Sequence, residues 1–392
     1  MKRSIKKCLI FGTIIVTLIG SFGFKEVVSF YNFFMTPKAS RSIVFYSERE
    51  SYYSYFEGVV TELTKKRNKP ICYITSDKND PILKTDNPNI KSFYLNKLLR
   101  LFMRFVNTDV FVMTLTDLNQ FNLKRSIHPV TYVYLFHALV STHMIYREGS
   151  FDHYDIIVCP CNHHIQEIKL REKQNNLKPK KLVPGSYYRL ERIYKAAQNH
   201  TLATNKKTVL VAPSWGQHNI FATCGQQLIQ KLLDSGFVVI ARPHPEITKR
   251  NPQLIEKYNL KFKNNHNFTL ETSVKTDTSI LTADLLITDL SGIALEYAFG
   301  TERPVIFIDL PLKIKNPNYK DLKVDPFELS IRSEIGKIVP PDNIDDIDKI
   351  ASELINNQSK SKNKIRMLRE KYVLNFGNSS EIAAQTILDS MK

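Results

Sequence analysis

The 392-residue chain is 43% apolar, enough to bury a sizeable core, which excludes a disordered or fibrous protein. Its 55 Lys and Arg against 38 Asp and Glu leave a formal charge of +17, pointing to anionic partners: phosphate-bearing substrates, acidic lipid headgroups or nucleic acid. Five cysteines, an odd number with no C-x-x-C pair, exclude a disulfide framework.

The chain opens on "MKRSIKKCLIFGTIIVTLIGSFGF", a basic start followed by an uncharged run from Cys8 to Phe24. That pattern predicts a membrane anchor or signal-anchor segment over residues 1–36. A cleaved signal peptide is the rival, and no clear small-x-small site follows the run. Short β-rich runs come next: 42–48, 70–76, 109–114, 130–139 and 154–160, with helical candidates at 52–66 and 95–105. Past the polar stretch "NHTLATNKK" (199–207) the pattern restarts. Strands are expected at 208–214, 237–245, 285–291 and 304–311, helices at 224–236 and 292–300, and a helical tail from 342 onward. Alternating strands and helices in two series predict an α/β protein of two facing Rossmann-like domains, over 37–200 and 201–372. Residues 373–392 are expected to form a C-terminal helix, with a return to the N-terminal domain as one option. Such pairs bind ligands in the cleft at the C-terminal ends of their strands.

Three strand ends in the second series carry candidate chemistry. In "LLITDLSGIALEY" (285–297) a strand hands over to a helix, whose first N–H groups and dipole make an anion site. Ser291 adds a hydroxyl there and Gly292 allows close backbone approach, while Asp289 or Ser291 serves equally well as an ordinary helix cap. Glu296, one turn further, is placed either for a ligand hydroxyl or for solvent. "ARPHPE" (241–246) sets His244 between two prolines at a strand end, with Arg242 beside it. A stiffly aimed His next to a fixed cation suits a leaving phosphate, and a surface turn is the alternative. "APSWGQH" (212–218) offers Ser214 and Gly216 as phosphate-facing positions, with Trp215 as either a stacking ring or interface packing.

In the first series, His137 ends the apolar run "VTYVYLF", where a strand enters the cleft. That position suits a general base, or a hydrogen-bonded structural His. The segment "CPCNHH" invites a zinc reading through Cys159, Cys161, His163 and His164. These crowd into six residues, unlike the separated pairs of familiar sites, so no metal is expected.

Taken in order, "VAPSWG", "RPHP", "ADLLITDLSGIALEY" and "RPVIFIDLP" resemble the CDP-glycerol glycerophosphotransferase family of bacterial teichoic acid and capsule polymer synthesis, over roughly residues 130–390. The resemblance implies a GT-B arrangement and transfer of glycerol phosphate from CDP-glycerol, or a related CDP-polyol, to a hydroxyl of a polymer or lipid-linked primer, with release of CMP. It implies no cofactor, no metal and no nucleic acid. His137 would be the base, His244 and Arg242 would hold the pyrophosphate and departing CMP, and Ser291 would meet the donor phosphate. Leu290 and Gly292 replace the Tyr and second Ser of the family's commoner Thr-Asp-Tyr-Ser-Ser, and Phe136 and Ala138 flank His137 where Trp and Gly are usual. A nucleotide-sugar glycosyltransferase, with Glu296 on a sugar hydroxyl, is the first alternative. A non-catalytic polyanion- or lipid-binding protein is the second. Because CDP-linked donors are made in the cytoplasm, the expected placement is the bacterial cytoplasmic membrane with the body facing the cytoplasm.

Overall fold

A computed structural model describes residues 23–202, 206–273 and 276–391. The first parallel sheet holds β1 (Ile43–Ser47), β2 (Ile71–Thr75), β3 (Ile90–Tyr94), β4 (Val110–Met113), β5 (Thr131–Leu135), β6 (Ile156–Cys159) and β7 (Lys181–Pro184), in the order β3-β2-β1-β4-β5-β6-β7. The second holds β8 (Thr208–Val211), β9 (Val238–Ala241), β10 (Phe268–Leu270), β11 (Leu285–Thr288), β12 (Val305–Ile308) and β13 (Gly336–Val339), in the order β10-β9-β8-β11-β12-β13. Both are doubly wound. In each, strand order reverses beside the first strand, so one crevice opens between β1 and β4 and another between β8 and β11.

Every strand expected from the sequence is present, and the four not anticipated, β3, β7, β10 and β13, are the four sheet edges. Of the nine inner strands eight are buried along most or all of their length, as in "VIFI" and "LLIT", whereas the edges are mostly half-buried or exposed.

Residues 24–35, placed by the sequence reading within the anchor segment, instead form a helix (Phe24–Met35) docked on the first domain. Phe33 is wholly buried there, with its ring against Phe93 and Phe102, and the buried Glu26 carboxylate accepts the Asn96 and Leu98 N–H groups. Among the described residues no helix is long and apolar enough to cross a membrane, and most of the predicted run, through residue 22, lies outside them.

The domains meet through helix Tyr188–Gln198 against helix Ile293–Thr301. The approach is close enough that a Cβ at Gly300 would stand 2.6 Å from Ile193 Cγ2, so only glycine fits. An ion-pair chain runs along this joint from Glu296 through Arg189, Asp277 and Arg192 to Glu57. The tail crosses back: helix Gln358–Tyr372 pairs Arg369 with buried Glu302, and helix Ser379–Leu388 places Ala383, Ala384 and Ile387 in the core of the first domain.

Candidate active site

The two sheets face one another across a cleft of about 780 Å³ lined by residues that follow β1, β5, β8, β9, β11 and β12. The loops after β8 and β11, "APSWG" and "DLSG", flank the switch point of the second sheet.

His137 sits two residues beyond β5, half-buried, with the rings of Tyr52, Tyr55 and Tyr146 about it at 5.9, 6.0 and 5.9 Å. Its Nδ1 meets the Tyr134 hydroxyl at 3.2 Å. The ring also donates an N–H to the Thr114 carbonyl, so one imidazole nitrogen carries the proton and the other the lone pair. Burial pushes the His137 pKa down to about 4 against a hydrogen bond to the Thr114 backbone, and the Lys315 charge adds to the lowering, so the ring is neutral at pH 7. The Tyr187 hydroxyl shares its one proton between the His137 carbonyl at 2.9 Å and Glu296 Oε1 at 2.7 Å, which ties the His137 backbone to the domain joint.

His244 caps helix Pro245–Arg250: the Glu246 N–H donates to its Nδ1 at 3.1 Å. The proton of the neutral ring therefore lies on Nε2, which leaves this ring an N–H donor. Burial, helped by Lys313, Arg49 and Lys315 and opposed by Glu246, lowers its pKa to about 4. Arg242 lines the same wall but is 3% exposed and committed: Nη1 donates to Ser279 Oγ at 2.8 Å and Nη2 to the Thr276 carbonyl at 3.1 Å. It acts as a fixed positive charge, not as a bidentate clamp.

Asp289 is not at the cleft surface. It lies beneath, accepting the Ser214 N–H at 2.6 Å and the Ile220 N–H at 3.2 Å, so it ties the β8 loop to the β11 loop. Burial raises its pKa against those bonds. Ser214 and Ser291 line the cleft, and Gly216 adopts a φ of +142° in the same loop as Trp215. Gly292 has ordinary helical angles, and a Cβ there would make normal contacts at 3.7 Å with Ala138 and Val140, so its backbone does not demand glycine. Both oxygens of Glu296 are occupied, by the Tyr187 hydroxyl at 2.7 Å and Arg189 Nε at 3.0 Å. This removes the specific observation that favoured a sugar-hydroxyl ligand.

Two lysines of the cleft carry almost no signal in the sequence. Lys313 and Lys315 follow β12 in an irregular loop with no motif around them. Lys313 Nζ lies 3.7 Å from the centre of the Trp215 ring, with Lys315 Nζ at 5.7 Å. Burial, then Lys315, lowers the Lys313 pKa to about 7 despite Asp289 and Glu246. Arg49, after β1, reaches Glu246 across the cleft at 3.6 Å. "IDLPLKIK" is the only local hint: cations two apart just past a strand end.

The cleft thus combines a neutral His acceptor, a His donor, a helix N-terminus and several cations. A family model, CDP-glycerol:poly(glycerophosphate) glycerophosphotransferase, matches residues 29–389. The chain belongs to that family. It is an enzyme that transfers glycerol phosphate from CDP-glycerol to a polymer. Among solved structures this glycerophosphotransferase is similar to the wall teichoic acid polymerase TagF, at 15% identity and a TM-score of 0.64, over 100% of this chain and 98% of that one. It is also similar to UDP-GlcNAc 2-epimerase from Neisseria meningitidis, at 13% identity and a TM-score of 0.56, over 88% and 99% of the two chains. No curated protein sequence matches it. At such identities the likeness speaks for the shared pair of facing α/β domains.

Proposed function

We propose that the acceptor hydroxyl approaches along the first-domain wall and gives its proton to the His137 imidazole as its oxygen attacks the β-phosphorus of CDP-glycerol. The new O–P bond forms as the bridging P–O bond breaks, and CMP leaves on the side of His244, whose Nε2–H hydrogen-bonds the departing oxygen. Lys313, Lys315, Arg242 and the helix N-terminus at Ser291 neutralise the charge that builds on the phosphoryl oxygens. The observation that carries this reading is the pairing of two neutral imidazoles on opposite walls of one cationic cleft, each anchored through Nδ1, His137 at the Tyr134 hydroxyl and His244 at the Glu246 N–H. CMP release from CDP-glycerol in the presence of a glycerol-phosphate oligomer or a lipid-linked primer tests it. Release from other CDP-polyols alone, or UDP release from nucleotide sugars, would redirect the donor assignment.

Lys313 makes the donor site pH-dependent in a stated direction. It is charged below about pH 7 and loses its proton above, so in the free enzyme the grip on pyrophosphate weakens as pH rises. The expected kcat/KM for CDP-glycerol falls on the alkaline side of about 7. Lys313→Arg moves that limb well upward, and Lys313→Met removes it and raises KM about tenfold. An unchanged alkaline limb in both variants would show that another group is responsible.

The same reading places the enzyme on the cytoplasmic face of the membrane. Helix Phe24–Met35 exposes Phe24, Tyr31 and Met35, and helix Leu99–Phe105, joined to it by the Phe33–Phe102 ring contact, exposes Leu101 and Phe105. Exposed Lys25, Lys38, Arg100 and Arg104 accompany them, a mixture of rings and cations suited to an anionic bilayer surface. The double variant Leu101→Ser, Phe105→Ser is expected to bind anionic vesicles about tenfold more weakly in co-sedimentation, with turnover on a soluble acceptor unaltered. Protection of the body from protease added outside intact spheroplasts is expected as well, and its digestion there would refute the placement.

A further inference from the structure

Behind the loop that carries His137, the start of helix Asn162–Gln174 gathers Cys161, His163 and His164, whose ligand-capable atoms all lie within 4.8 Å of one another. The site is buried: Cys161 and His164 are 0% exposed and His163 is 9% exposed. Neither ring nitrogen of His163 makes a hydrogen bond of good geometry, with the Leu139 and Val140 carbonyls its nearest polar neighbours, and Nδ1 of His164 has no partner. Nε2 of His164 lies 3.0 Å from the Val140 carbonyl. If it donates there, Nδ1 is left with a free lone pair, the arrangement by which a carbonyl in the outer sphere orients a metal-binding imidazole. One turn along the helix from His163 stands Glu167, 1% exposed, with Oε1 unpartnered while Oε2 accepts from Thr142.

Packing alone accounts for the rings but not for their nitrogens. His164 stacks on Phe136 at 4.0 Å and His163 on Phe327 of the second domain at 4.3 Å, roles a phenylalanine would fill without burying polar atoms. One thiol and two neutral imidazoles are a soft donor set suited to a d¹⁰ ion. We propose that Cys161, His163 and His164 bind a zinc ion, with Glu167 as the neighbouring carboxylate. The Cys161 thiol gives its proton to solvent as the S–Zn bond forms, and the imidazoles bind neutral. The ion stands where three parts of the chain meet. Cys161 bridges Val373 of the returning tail, His163 touches Phe327, and His164 holds the Val140 carbonyl at the end of the loop bearing His137. Its role is structural: it locks the joint between the domains and the wall of the cleft.

The full chain, purified without a polyhistidine tag and dialysed against buffer containing micromolar zinc, is expected to retain about one zinc per chain by mass spectrometry. Titration with cobalt(II) should develop a thiolate-to-cobalt absorption band. Cys161→Ser should abolish that band, and His164→Gln should weaken cobalt binding at least tenfold, whereas Cys159→Ala, on the preceding strand, should leave both readouts as they are. The wild-type titration decides independently of whether any variant folds: no bound zinc and no thiolate band would overturn the proposal. So would a band that survives Cys161→Ser or disappears with Cys159→Ala.

Discussion

Replacing His137 by glutamine is expected to lower kcat for polymer extension by about 10²- to 10⁴-fold, while leaving the affinity for CDP-glycerol within a few-fold. The hydroxyl of a polyol or polymer is a poor nucleophile until its proton has somewhere to go, and among the described cleft residues His137 is the neutral acceptor on the wall opposite the phosphate-facing loops. Glutamine keeps most of the volume among Tyr52, Tyr55 and Tyr146 but has no basic nitrogen. The depressed pKa sets the shape of the acid limb. His137 becomes protonated, and useless as a base, only as pH falls through about 4, so kcat/KM should hold as pH falls from 6 to 5, where Lys313 stays charged and an ordinary imidazole with a pKa near 6.5 would lose most of its remaining base form. Tyr134→Phe, which frees Nδ1 from its partner, should cost about tenfold in kcat with little change in KM, because the ring is no longer held in orientation. Turnover of His137→Gln within a few-fold of the parent would remove His137 from the reaction.

His244→Ala is expected to reduce kcat/KM by about 10²- to 10³-fold, the cost typical of removing one preorganised donor from a developing oxyanion. Two effects must be separated, because His244 also caps a helix and loss of a cap costs about 1 kcal/mol of stability. His244→Asn distinguishes them: its short side chain can still accept the Glu246 N–H, yet it carries no N–H at the imidazole's Nε2 position. Stability near the parent with activity as low as the alanine variant is the expected result. If asparagine restores activity as well as stability, the histidine is a cap and the leaving group is held by Lys313 and Lys315 instead.

Much of this site was legible in the residues because each motif marks a strand end. "APSW", "RPHP" and "TDLSG" each sit at the end of a four-residue strand with at least three apolar residues in a row, and such runs become inner parallel strands whose C-terminal ends line one cleft. What individual residues do once there was less legible. Asp289 and Ser291 stand two apart on one turn, yet Asp289 is buried beneath the surface, bonded to Ser214, and Ser291 faces the cleft. Arg242 reads as a fixed cation, and the partners that fix it, Ser279 and Thr276, lie thirty-odd residues downstream. Glu296 reads as a ligand residue and is instead part of the joint between domains.

By itself the sequence determined the class of fold, the central strands and the three loops of the donor wall, since these depend on local composition: long apolar runs bury both faces, and Pro, Gly and Ser stop them at fixed points. Only the tertiary structure decided the four edge strands, the cations Lys313 and Lys315, and the partners of Arg242 and Glu296. An edge strand forms because a neighbour offers its unpaired N–H and C=O groups, not because its own residues are apolar. A lysine in a loop likewise acquires a depressed pKa and a place over Trp215 only when residues about a hundred positions apart are brought to one wall and water is excluded from between them.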